Sequence, residues 1–132
     1  GAAVCWMLQA WVPERWALFG AMIMTLRLTP GYWGNSYWGG AVAAMGGALL
    51  LGALRRLIAE QRWQDGLIFG LGLSILALSR PYEGFVFSLV AMSALIVSFI
   101  SSTRPSLRQI AKISGACLVI PMIALSWHTY AE

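Results

Sequence analysis

Residues 84–103 read GFVFSLVAMSALIVSFISST, twenty positions without a charge. A helix needs roughly 20 apolar residues to cross the hydrocarbon core of a bilayer, and this stretch supplies them in one piece. Residues 28–54 and 113–131 are also uncharged, and 66–79 is a shorter run of the same kind. Charges stand between the runs and almost never within them. The expected fold is all-α: a polytopic transmembrane helix bundle of about five to six membrane helices, two of them short.

Composition points the same way. Hydrophobic residues make up 59% of the chain, charged residues 11%, and the mean hydropathy is +0.72. A soluble domain carries about 25% charged residues, and a water-soluble fold of 132 residues has too little interior for this much apolar surface. Seven Trp and four Tyr suit the two interfaces of a bilayer, where amphipathic rings collect. The net charge of +4 is spread over short segments between apolar runs. That is the pattern of membrane topogenesis, and no nucleic-acid partner is expected. Cys5 and Cys117 both lie in apolar runs and read as small core residues. Position 1 is Gly, and the first residues resemble the late part of an apolar helix, so the chain is expected to be an internal fragment of a longer protein. No signal-peptide pattern opens it.

Proline and glycine divide a single transmembrane domain into helices at about 1–11, 14–28, 39–58, 66–80, 84–102 and 107–130. Pro13 ends the first, because proline cannot continue the backbone ladder, and Glu14 suits the N-terminus of the second. At about 1.5 Å per residue, the second helix reaches only about 22 Å. The fourth, 66–80, is also short. Pro81 stops it and Gly84 opens the fifth. Pro105 marks a basic turn, and Pro121 predicts a kink in the sixth.

Sorting the cations by the turn they occupy gives one set of Arg15, Arg55, Arg56, Arg62, Arg104, Arg108 and Lys112, and another of Arg27 and Arg80. Seven against two is a positive-inside signal. The seven are assigned to the cytoplasm, and residues 29–38, 80–84 and His128 to the opposite side. Arg55–Arg56 and the Arg104–Lys112 cluster are expected to meet anionic lipid heads.

Small residues recur at four-residue spacing: Gly39, Ala43, Gly47; then Gly40, Ala44, Ala48, Gly52; then Gly66, Gly70, Ser74. Such stripes let helix backbones approach closely. Packing inside the bundle is the main reading, and a dimerisation face the alternative. Ser88, Ser93 and Ser98 are expected to bond back to their own helix.

Two outward elements carry chemistry. The first is Gly31-Tyr32-Trp33-Gly34-Asn35-Ser36-Tyr37-Trp38-Gly39, in which Tyr-Trp-Gly occurs twice. Aromatic faces suit sugar C–H bonds, and Asn35 and Ser36 add donors and acceptors. Tyr32, Trp33, Asn35, Tyr37 and Trp38 are candidates for a saccharide or isoprenoid-phosphate rim, with an aromatic belt as the plainer reading. The second is Ser79-Arg80-Pro81-Tyr82-Glu83-Gly84. Charges near membrane depth are costly unless used or paired. Arg80 suits a phosphate or diphosphate as a bidentate donor, with Tyr82 and Glu83 shaping the pocket around it. The plainer reading is a local Arg80–Glu83 ion pair. Arg27 is a second possible phosphate partner, or a residue snorkelling to the interface. The sole Asp, Asp65, sits in a turn assigned to the cytoplasm, and His128 reads as interfacial. No metal-ligand cluster, Walker loop or dinucleotide fingerprint is present in the sequence.

Tyr37-Trp38-Gly39-Gly40-Ala41-Val42-Ala43-Ala44, followed by Ser79-Arg80-Pro81-Tyr82-Glu83-Gly84, resembles bacterial membrane proteins of the GT-C glycosyltransferase class. These are the group related to dolichyl-phosphate-mannose mannosyltransferases and the RgtA/B/C/D-like proteins. The resemblance covers about residues 11–101. It implies a bacterial inner-membrane protein that takes sugar from a polyprenyl-phosphate-linked donor on the outer face of the membrane, with membrane lipids and that donor as partners. It also implies an acidic residue, acting as base or binding a divalent metal, in a first outward loop. No residue here occupies that place, so it is expected upstream of Gly1. A transporter and a non-catalytic scaffold are the alternative functions. Two short helices, each followed by an outward break, favour the transporter; the lack of an acidic residue in mid-span opposes it.

Overall fold

The computed structural model describes residues 1–28, 40–101 and 107–130, and everything described is helix or short turn. There are six helices among these residues: α1 Ala2–Leu8, α2 Glu14–Leu28, α3 Gly40–Glu60, α4 Trp63–Ser79, α5 Pro81–Ser101 and α6 Leu107–Tyr130. The all-α expectation holds. Two of the six, α3 and α5, are long and apolar enough to cross a membrane on their own. Helix α4 is apolar but has only 17 residues, and α2 has 15.

Helix α2 starts and ends where the sequence placed it. Pro13 lies just before it, and the Pro13 carbonyl accepts from the N–H groups of Trp16 and Ala17 at 3.0 and 3.1 Å. Other boundaries shift, and α1 stops at Leu8, three residues before the expected end. Helix α3 continues to Glu60 and ends at Gln61, whose φ of 51° makes the left-handed turn that terminates helices. Helix α4 begins at Trp63, three residues before Gly66, which puts Asp65 in its first turn, where a carboxylate favours the helix dipole. Helix α5 begins at Pro81 rather than Gly84. Proline fits a first helical position because its missing N–H has no partner there anyway. Gly84 N–H then closes the turn onto Arg80 O at 2.7 Å.

Helix α4 is the centre, packed against α3, α5 and α6; α1 packs against both α2 and α3. Leu50, Leu57, Phe69 and Ile113 are fully buried in the core between them. Glycine sets the close approaches. A Cβ on Gly72 would stand 2.8 Å from both Gly46 O and Leu50 N, so α3 and α4 touch backbone to backbone there. Neither residue belongs to the stripes read from sequence. Gly47, which does, faces open space, whereas Gly52 meets the ring of Trp6. The Gly66–Gly70 stripe packs against α6, near Ile113 O and Cys117 O. Pro121 has no N–H to give Cys117 O, four residues back. That carbonyl faces the bare Cα of Gly70, so α6 continues as helix through Pro121. Ser74 is buried and donates to Gly70 O at 2.9 Å. The expected back-bonding holds for Ser88 and Ser93, onto Gly84 O and Leu89 O.

These contacts fix the two ends of the bundle. Trp6 meets Gly52 and Arg56, and Trp11 meets Arg55. The turn after α1 and the turn after α3 therefore share one end. Gly66 lies beside Ile113 and Ala116 of α6, which brings Lys112 to that same end. Arg80 is at the far end of α4. The sorting of Arg55, Arg56, Arg62 and Lys112 away from Arg80 is thus a property of the fold.

Candidate functional site

The chemistry-bearing corner is the turn between α4 and α5. Arg80 closes α4, its N–H donating to Leu76 O at 2.8 Å. Its Nη1 donates to Glu83 Oε2 at 2.5 Å, an i,i+3 ion pair with side-chain exposures of 29% for Arg80 and 72% for Glu83. The pairing expected as the plainer reading is therefore present. Tyr82, between them in sequence, is 88% exposed. Gly84 is buried because a Cβ there would stand 2.8 Å from Leu76 O, and this contact folds α5 tightly onto α4. Next to Arg80, Ser79 Oγ is buried without a hydrogen-bond partner. A polar group left in that state costs the fold unless something else meets it.

Below this turn runs an apolar groove of about 300 Å³ between α4, α5 and α6. Ala77, Leu78, Phe85, Leu118 and Pro121 line it, and Pro81 and Gly84 join it to the Arg80–Glu83 turn. The hydroxyls of Ser74 and Ser88, also in its wall, are taken up by their own helices. The groove is a greasy slot with a charged lip. Sequence reasoning found the lip and missed the slot, which is shared by three helices. Its nearest signal was the three- and four-residue spacing of Leu73, Ser74, Ala77 and Leu78 along α4.

The rim candidates Tyr32, Trp33, Asn35, Tyr37 and Trp38, with loop 29–38, lie outside the described residues, as does the side chain of His128. Arg27 is exposed at the end of α2. Among the described residues no three His, Cys, Asp or Glu side chains gather to hold a metal ion, so the groups present do not fit a divalent metal, and no step is assigned to one.

A second polar cluster occupies the opposite end. The Arg56 guanidinium lies 3.9 Å from the centre of the Trp6 ring, and its Nη2 donates to Trp6 O at 3.2 Å. Ala10 N–H has turned to Met7 O, so Arg56 satisfies a carbonyl at the end of α1. Arg56 Nη1 is buried without a partner. Asp65, in the polar turn ahead of the apolar run 66–79, is 7% exposed. Arg56, Glu60 and Arg62 are the charges that act on it. Arg62 itself pairs with Glu60 at 2.9 Å.

No family model, curated protein or solved structure matches the chain.

Proposed function

We propose that the chain is a membrane-embedded part of a glycosyltransferase that draws on a polyprenyl-phosphate-linked sugar at the outer face of a bacterial inner membrane. The observation that carries this reading is the apolar groove beneath the Arg80–Glu83 turn. A lipid-linked sugar is an amphiphile of matching form, with an isoprenoid tail for the slot and a phosphate for the arginine at its lip. Support for lipid as the surrounding solvent comes from α5. Only 17% of its apolar stretch is buried, and Phe85, Val86, Val90, Val97 and Ile100 are more than half exposed. The core helix of a soluble protein buries such residues; a helix facing acyl chains does not. The helices shorter than a bilayer, α2 and α4, cross as parts of the bundle, held by their neighbours.

In this reading the incoming phosphate takes Glu83's place on Arg80. The guanidinium is fixed at the mouth of the groove by the end of α4, where it neutralises charge as the phosphate departs. Glu83, released, accepts a hydrogen bond from a sugar hydroxyl. Tyr82, already exposed, lies against the sugar or the acceptor, and Tyr32, Trp33, Asn35, Tyr37 and Trp38 form the rim.

The test is Arg80→Ala in the protein that carries this chain. Sugar transfer falls by about 100-fold, the scale of losing one preorganised donor, while the amount of protein in the membrane is unchanged. Ala77→Trp, which fills the groove, raises the KM for the lipid donor. Undiminished transfer in a normally expressed Arg80→Ala protein rules the reading out.

A further inference from the structure

The basic end of the bundle carries two arginines that form no ion pair among the described residues. Arg55 and Arg56 are consecutive near the end of α3, where the apolar run stops. Arg62 and Arg80 each pair with a glutamate, but neither Arg55 nor Arg56 forms an ion pair among the described residues. Both are instead held against tryptophan. Arg56 lies over Trp6 at 3.9 Å, and Arg55 lies over Trp11, the closing turn of α1, at 5.8 Å. An indole face holds the flat guanidinium from one side and leaves its N–H edges to seek acceptors elsewhere. Arg56 spends one of those nitrogens on Trp6 O, and the other has nothing. Trp11, at 54% exposure, sits open beside Arg55, as a ring at a bilayer interface does.

Two guanidinium groups on consecutive residues, each laid on an indole ring and neither in an ion pair, stand where a helix leaves its apolar run and match one ligand chemistry: the phosphodiester of an anionic phospholipid. The geometry points to a headgroup site formed by Arg55 and Arg56 with Trp6 and Trp11, on the leaflet opposite the Arg80 corner. Its function is to hold the short α1–α2 hairpin against α3 through a bound lipid. Glu60, which closes α3, and Asp65, in the first turn of α4, flank the site and limit how much negative charge it accepts, which suits one phosphodiester better than a multiply charged anion. The site rests on the membrane reading given above but not on sugar transfer.

Native mass spectrometry of the chain in neutral detergent, titrated with phosphatidylglycerol or phosphatidylcholine, reads the site directly. The wild-type chain retains phosphatidylglycerol in preference, and Arg55→Gln with Arg56→Gln removes about fivefold of that preference per arginine. Arg55→Gln alone leaves the Arg56–Trp6 contact and the docking of α1 intact and still lowers retention. Ser93→Ala, on an exposed face of α5, changes nothing. A preference that survives both Arg55→Gln and the double substitution overturns the site. So does displacement of the lipid by millimolar inorganic phosphate, which would make it a free-anion site. Alkaline carbonate extraction of cell membranes runs alongside. A chain that resists extraction but shows no lipid preference defeats this inference alone, whereas a chain released by carbonate defeats the membrane reading beneath it.

Discussion

The two ends of the bundle treat arginine in opposite ways. At the α4–α5 corner, Arg80 is answered from its own turn by Glu83, three residues on. At the far end, Arg56 is answered across 50 residues of chain by the ring and carbonyl of Trp6. The first contact is local and largely open to solvent. The second ties two distant helices and is partly buried. A charge that is to be released is paired nearby with another exposed charge; a charge that fastens the fold is laid on an aromatic face and given a backbone carbonyl. The contrast is between an exposed ion pair within one turn and a partly buried tie between two helices.

Substitutions at both ends sharpen or break that contrast. Arg56→Ala has the largest expected effect. It loses the stacking on Trp6 and a charged hydrogen bond, and lowers stability by about 2 kcal/mol, read by reversible unfolding in mixed detergent micelles. The smallest effect is at the corner. Glu83→Gln breaks an ion pair with one partner 72% exposed, and costs less than about 1 kcal/mol. If Glu83→Gln cost as much as Arg56→Ala, the two ends would not differ in kind.

Much of the fold was legible in the sequence because breaks between helices are local chemistry. Pro13 and Glu14 placed the start of α2, and the uncharged runs placed the bodies of α3 and α5. Gly66 misled. It reads as the opening of a helix, yet it sits inside α4 because α6 passes too close for a side chain. The backbone contact of Gly46 with Gly72 was not legible, since a four-residue stripe shows which residues share a face but not which face meets another helix. Arg80 and Glu83 could be paired from their spacing alone. Arg56 and Trp6 could not, and neither could the groove, whose wall is assembled from α4, α5 and α6. Local pairs are written in sequence order, whereas slots and latches between helices exist only once the packing is known.

The central claim is that one membrane separates the Arg80 corner from the basic turn. With Cys5→Ala and Cys117→Ala as background, Tyr82→Cys and Arg62→Cys are each exposed to a membrane-impermeant thiol reagent in intact cells. The account predicts labelling of Tyr82→Cys from outside, and of Arg62→Cys only after the membrane is permeabilised. Labelling of both from the same side, or recovery of the chain in the soluble fraction, contradicts it.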